Sequence, residues 1–358
     1  LALAETLLER REALAARGAA LSPRILAGLG VVALVGVIAA VGDPVSRADD
    51  EWQEFKASSA PAASGGNRLL QTGGARYDYW RVSLNDLADA PVRGVGAGNW
   101  NLSWYQSRRT GDDTRQPHSV VFQTLAELGL LGGLALALAV GAVLAALVLR
   151  RREAESFALL IGAGGMFATW LLHTSVDWMH ILPGITLSAL CGAAALLAPW
   201  RGPSGARGAA SYVVPTVAVV VAAAGFLTVG KVLRAEHRIT DGQELLATDP
   251  PGANAKAGDA LALNRDAIPA LYLRSAAYAQ VNDFVNAKAA LLEAAKKEPG
   301  NFVTWQLLGD LQIRREVGRG FDEAGAAPFY RRALELNPRD AELRDLAKFP
   351  FLGHPEFR

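Results

Sequence analysis

One cysteine, Cys191, is all that 358 residues contain, so no intrachain disulfide can hold the chain together. Charge of either sign is not in excess: 36 Lys and Arg against 35 Asp and Glu leave a net charge of +1, and no nucleic-acid partner is expected. The opening lacks Met, and it lacks the succession of basic, apolar and small-residue regions that marks a signal peptide. It starts with the apolar LALA and reads as a cut through a longer protein, with earlier spans expected upstream. Metal-ligand spacing is missing as well. His118, His173, Asp177 and His180 are expected on one face, but not at the intervals a metal site uses, so no metal is expected.

Apolar runs, by contrast, are plentiful. A membrane span needs about 20 mostly apolar residues, and five stretches approach or meet that: 25–42, 128–149, 157–172, 181–197 and 212–230. The third and fourth are the weakest, because His173, Asp177 and His180 crowd the turn between them; a buried or re-entrant helical pair is the competing reading. Basic residues mark the inner side of short loops. Arg10, Arg11, Arg17 and Arg24 precede the first run, Arg150 to Arg152 follow the second, and Arg201 and Arg207 follow the fourth. Five spans put all three clusters on one side. The expectation is an all-α fold: a polytopic transmembrane bundle with a large outer loop, then an α-solenoid. Its parts are a cytoplasmic segment 1–24, a span 25–42, an outer loop 43–120, three spans within 121–200, a cytoplasmic loop 201–211, a span 212–230, and an outward-facing repeat tail 231–358.

The tail carries a pattern repeated at an offset of 34. Leu271, Ser275, Tyr278, Ala287, Leu291, Ala294 and Pro299 align with Trp305, Gly309, Gln312, Ala326, Tyr330, Ala333 and Pro338, after five extra residues near Val317–Phe321. This resembles the tetratricopeptide repeat, in which small residues let two helices cross closely and Pro ends the second. Residues 236–264 supply a degenerate earlier repeat, since single repeats cannot bury their faces. Such a tail implies a protein partner on its concave surface; a domain that only packs on the loop is equally compatible with the pattern.

The densest run of unusual residues lies in the outer loop. RYDYWRVSLNDLADAP places Trp80, Leu84 and Leu87 at helical spacing, with Arg76 one turn before Trp80 and Pro91 closing the segment. GVGAGNW follows at 94–100. It falls one residue short of the dinucleotide fingerprint and follows a helix rather than a strand, so it reads as a tight turn, with a phosphate-cradling nest as the minor alternative. QPHSVVFQTLAELGLLGG then runs into the second span.

These residues resemble the O-antigen ligase and O-antigen polymerase family of bacterial envelope enzymes. The likeness rests on Arg76 and Trp80, on Gly94, Gly96, Gly98 and Asn99, on His118, on Glu127, Leu128, Gly129 and Gly132, and on the HTSVDW turn with His173 and Asp177. Ser119 departs from the Asn usual after the His, and Arg93 stands where apolar residues are common. The resemblance implies a multi-pass protein of the bacterial inner membrane. It would transfer a glycan from an undecaprenyl-diphosphate carrier to a lipid, glycan or protein acceptor on the outer face, without metal or cofactor. His118 would be the general base and Arg76 would hold the diphosphate, with Trp80, Gly94, Gly96, Gly98, Asn99, His173 and Asp177 around the substrate. The residue types suit those roles. Guanidinium is a permanent planar fork for phosphate oxygens, and imidazole titrates where a base is useful. Structural roles compete: Arg76 can pair with Asp78 or Asp86 on a solvated helix, His118 can cap or sit at the interface, and Asp177 can orient a His or cap the fourth span. A joining polymerase, or a non-catalytic scaffold built on the repeats, are the alternative functions.

Overall fold

A computed structural model describes residues 49, 52–53, 76–150, 157–198, 210–316 and 323–350. Contacts divide the chain into Leu1–Gly74 and Ala75–Arg358. In the first unit the described residues are few, and Gln53 Nε2 donates to Asp49 Oδ1 at 3.4 Å. The expected span 25–42 and the arginine clusters at 10–24, 151–152 and 201–207 lie outside the described residues.

The regular secondary structure described in the second unit is all helical. Its helices are α1 (Arg76–Asp89), α2 (Trp100–Ser107), α3 (Val120–Arg150), α4 (Phe157–Val176), α5 (Pro183–Leu197), α6 (Ala210–Leu245), α7 (Pro250–Leu263), α8 (Ile268–Gln280), α9 (Phe284–Lys297), α10 (Phe302–Glu316), α11 (Glu323–Leu336) and α12 (Ala341–Lys348). A short 3₁₀ turn, Met179–Ile181, joins α4 to α5.

Among the described residues one helix is long and apolar enough to cross a membrane, Val120–Leu149 in α3. It begins earlier than the apolar run at 128 suggests, because Ser119 caps it: the Ser119 hydroxyl accepts from the Phe122 N–H at 3.4 Å. Leu130, Leu131, Leu134 and Leu138 are exposed along it, as a lipid-facing surface requires. Leu160–Val176 and Pro183–Leu197 are shorter apolar helices. They pack on α3 around Val143, Leu160, Phe167, Ala193 and Leu196, with Gly192 admitting the backbone of Ala163. Helix α6 is two-natured. Val213, Val217 and Phe226 are exposed in its apolar half, whereas Ala235 and Ile239 are buried against α7 and α8 in its polar half.

From α7 onward each helix packs on the next. Small residues sit at the crossings: Ala253, Ala257, Ala260, Ala287, Ala294, Ala326 and Ala333 are fully enclosed. A Cβ on Gly309 would stand 2.6 Å from the Tyr330 ring, so Gly is needed there. Helix starts are fixed by side chains that accept orphan amides, with Asp249 taking Gly252 N–H, Asp283 taking Asn286 N–H and Asp340 taking Leu343 N–H. The five-residue insertion near Val317–Phe321 lies outside the described residues.

The tail also touches α2 and the loop that follows it. Arg108 Nη2 donates to Asn337 Oδ1 at 2.8 Å, Arg339 Nε donates to the Arg108 carbonyl at 3.1 Å, and the Tyr105 and Phe302 rings meet edge-on at 5.0 Å.

Candidate functional site

The base of the site is an interlock between the glycine turn and α3. Gly94, Gly96 and Gly98 all have positive φ, as does Gly129 inside α3, where φ 63 and ψ −157 break the helix. That break frees backbone groups on both sides, and the turn uses them. Val95 N–H and Gly96 N–H donate to the carbonyls of Ala126 and Glu127, both at 2.9 Å. In return Leu130 N–H donates to Pro91 O at 2.8 Å and Leu131 N–H to Val92 O at 3.3 Å. A Cβ on Gly94 would overlap the Glu127 carbonyl, and one on Gly129 would lie 2.6 Å from Gly94 N. Two of the amides a phosphate nest would offer are thus spent on α3, which favours the tight-turn reading of this motif. Asn99 closes the turn, its Nδ2 donating to Val95 O at 3.0 Å.

Helix α1 rests on this base through aromatic packing. Trp100 and Trp104 are completely buried, stacked with centroids 5.5 Å apart, and Tyr79 meets both edge-on. Trp80 turns the other way: its Nε1 donates to Pro117 O at 3.1 Å and its ring stacks on Phe122 at 4.8 Å. Trp80 therefore pins the segment entering α3, where His118 sits.

His118 has φ 53, a left-handed conformation that costs about 1 kcal/mol or more for a non-glycine residue. Its ring stacks on Tyr79 with centroids 5.1 Å apart and 19° between planes. Nδ1 stands 3.2 Å from the Gln116 carbonyl. A carbonyl only accepts, so in the neutral ring Nδ1 carries the proton and Nε2 presents its lone pair. Burial pushes the His118 pKa below the ordinary 6.5; Asp177 opposes this and Arg76 adds to it. All three groups therefore act within one electrostatic neighbourhood.

Arg76 is held from the α4–α5 turn. Its Nε donates to Val176 O at 3.1 Å, and Nη2 lies 3.7 Å from Asp177 Oδ2, with 41% of the side chain exposed. The alternative pairings within α1 are not used. Asp78, buried, takes Arg81 Nε at 2.8 Å and the Arg109 N–H at 2.7 Å. The sequence residues thus converge in part: Arg76, Trp80, His118 and Asp177 gather at the head of α3. His173 stands apart, lining an apolar cavity of about 530 Å³ with Met166, Trp170 and Met179.

Three supports have roles that the sequence does not assign. Tyr79 carries the stack beneath His118 and donates its hydroxyl to Asp112 at 3.2 Å; burial first and this carboxylate second push its pKa well up. His180 Nε2 and Gln123 Oε1 are 2.8 Å apart, which ties the α4–α5 turn to α3, and Gln123 Nε2 reaches the buried Glu127 at 3.4 Å. Buried Asp86 has its pKa raised to about 6, by burial first, with the charges of Asp89 and Glu127 adding. The sequence marks His180, Glu127 and Asp86, and an aromatic at Tyr79 between Arg76 and Trp80, but none of these contacts.

Residues 7–137 match the family model described as O-antigen ligase. The matched stretch contains α1, the glycine turn, α2, His118 and the first part of α3, so the whole interlock lies within the residues that match. That match supports glycan transfer of the ligase or polymerase type, by an enzyme family of the bacterial inner membrane. The HTSVDW turn and the helical tail lie beyond it. Comparison with curated proteins gives no match. Among the described residues no cluster of three or more His, Cys, Asp or Glu could hold a metal ion.

Proposed function

We propose that the chain transfers a glycan from an undecaprenyl-diphosphate carrier to an acceptor on the outer face of the membrane, as an O-antigen ligase does, without metal. The observation that carries this reading is the shared setting of His118 and Arg76 at the head of α3, with Asp177 acting on both. The acceptor hydroxyl attacks the anomeric carbon and gives its proton to His118 Nε2. The bond from that carbon to the diphosphate breaks with its electron pair leaving on the diphosphate, whose charge Arg76 stabilises. The depressed His118 pKa keeps the imidazole neutral, the form a base requires. An apolar cavity of about 620 Å³ starts at Val121 and continues along α3 to Val140, suitable for a polyprenyl tail.

In this reading the shorter apolar helices and the apolar half of α6 complete a polytopic bundle, and the tail is a tetratricopeptide-like solenoid facing outward. The test is glycan transfer in membranes with Arg76→Ala, His118→Ala and a deletion of 231–358. Loss of transfer in both point variants, with normal insertion, supports the enzyme. Intact transfer in both, with loss only in the deletion, identifies a scaffold instead. Excess chelator should leave activity unchanged; its loss there would refute metal independence.

A further inference from the structure

A polar cavity of about 760 Å³ lies between α2 with its following loop and the helical tail, within the size range of small-ligand sites, about 300–1,000 Å³. Neither His118 nor Arg76 lines it. Three arginines and four carboxylates do, cancelling to within one charge, so it has no field to hold a phosphate. Its character is set by flat polar groups beside aromatic rings: Glu298, Asn301 and Asp340 with Tyr105, Tyr272 and Phe302.

These groups are already fixed. Asn301 Nδ2 donates to Glu298 Oε2 at 2.9 Å, and Asn337 Nδ2 donates to Asp340 Oδ2 at 3.2 Å. Tyr272 Oη and Thr304 Oγ1 are 2.6 Å apart, and the Tyr105 hydroxyl donates to Asp113. Groups held in place beforehand lose little freedom when a ligand arrives. Arg108 adds a second kind of observation. It is 8% exposed, its Nη atoms donate to Gly111 O, Asp112 O and Asn337 Oδ1, and its buried Nε has no hydrogen-bond partner. The Arg108 guanidinium also lies 5.1 Å from the centroid of the Tyr105 ring, so cation and ring are presented to the cavity as one fixed pair.

We infer that this cavity is a second binding site, separate from the bond-exchanging one, and that it takes a neutral oligosaccharide. Each sugar hydroxyl is both donor and acceptor, which suits carboxylate, amide and guanidinium side by side. The C–H faces of a pyranose suit the aromatic rings. The choice of a glycan rests on the transferase reading, and the loop makes it coherent. Asp112, which takes the Tyr79 hydroxyl beneath His118, also offers its carbonyl to Arg108 Nη1 and Trp104 Nε1. A glycan seated here bears on the loop segment that braces His118.

The experiment uses the full chain in detergent micelles. The probe is the oligosaccharide mixture that mild acid releases from the surface polysaccharide of the producing bacterium, fractionated by length and observed by saturation-transfer NMR. Wild type should bind, whereas Asn101→Trp, which fills the cavity, and Glu298→Gln should weaken binding at least tenfold. If Asn101→Trp fails to fold, Glu298→Gln decides alone. No binding by wild type, unweakened binding in the variants, or displacement of the glycan by an acceptor peptide would each overturn the inference. Transfer by His118→Ala is measured separately, so failure of the transferase reading and failure of this site are told apart. In transfer assays a raised KM for the acceptor assigns the glycan to the acceptor, and a raised KM for the lipid-linked donor assigns it to the donor. A variant that moves neither overturns the cavity as a substrate site.

Discussion

The Gly96 N–H meets the Glu127 carbonyl at 2.9 Å, so the glycine turn between α1 and α2 is bonded directly into the broken helix α3. The loop and the apolar helix therefore form one backbone network, and the position of His118 depends on it.

A graded glycine series follows from this network. Gly94→Ala places a methyl group on the Glu127 carbonyl, and Gly129→Ala places one against Gly94 N; both positions also demand positive φ. Each should cost about 2–4 kcal/mol and sharply reduce folded protein in membranes. Gly98→Ala meets nothing within 4 Å and bears only its φ of +79, about 1 kcal/mol. Thermal melting in detergent checks the order; equal losses at all three positions would refute the interlock.

The rate of transfer should rise with pH along a limb centred below 6.5, because burial disfavours the protonated imidazole of His118. Asp177 raises that pKa, so Asp177→Asn should move the limb to still lower pH while lowering the rate through a less ordered Arg76. A pH–rate profile in which Asp177→Asn moves the limb upward would contradict the geometry. The same group acts on stability: the unfolded chain binds the proton more readily than the fold, so His118 costs stability as pH falls through about 6.5.

Asp86 behaves in the opposite sense. Its carboxyl is raised to about 6 by burial, so the fold holds the proton that the unfolded chain releases near 3.8, and stability from this group falls as pH rises between the two. Asp86→Asn should stabilise the protein at neutral pH by up to about 3 kcal/mol, at about 1.4 kcal/mol per pKa unit, and flatten that part of the profile. The check is melting temperature from pH 4 to 8; no gain at neutral pH would show that Asp86 ionises in the fold at no cost.

In the tail, Gly309→Ala drives a methyl group to within 2.6 Å of the Tyr330 ring. The ring is held by its hydroxyl bond to Asp310 at 2.7 Å, so overpacking should cost about 1–3 kcal/mol. Hydrogen exchange should quicken in α10 and α11 and leave α1 unchanged. Unaltered exchange in both helices would mean that the crossing is looser than the structure shows.

Much of the secondary structure was readable because it is local. Arg76, Trp80, Leu84 and Leu87 announced α1, and Ala287, Ala294, Ala326 and Ala333 announced close helix crossings. The tertiary partners were not. Nothing in the sequence ties Arg76 to Asp177 across a hundred residues rather than to nearby Asp78, and Asp78 is occupied by Arg81 and Arg109. The glycines signalled a turn, but not that its amides would be met by carbonyls released at Gly129 inside an apolar run. His118 was legible as a position at the mouth of α3; its tautomer and its Tyr79 stack came only with coordinates.

Helix α6 is a single element of 36 residues, carrying exposed valines at one end and the buried Ala235 and Ile239 of the tail core at the other. At 1.5 Å per residue it is a rod of about 54 Å, and a swing of about 10° around one end carries the other through roughly 9 Å. A lean of its exposed apolar end therefore carries the packed core of the tail with it, like an oar in its lock.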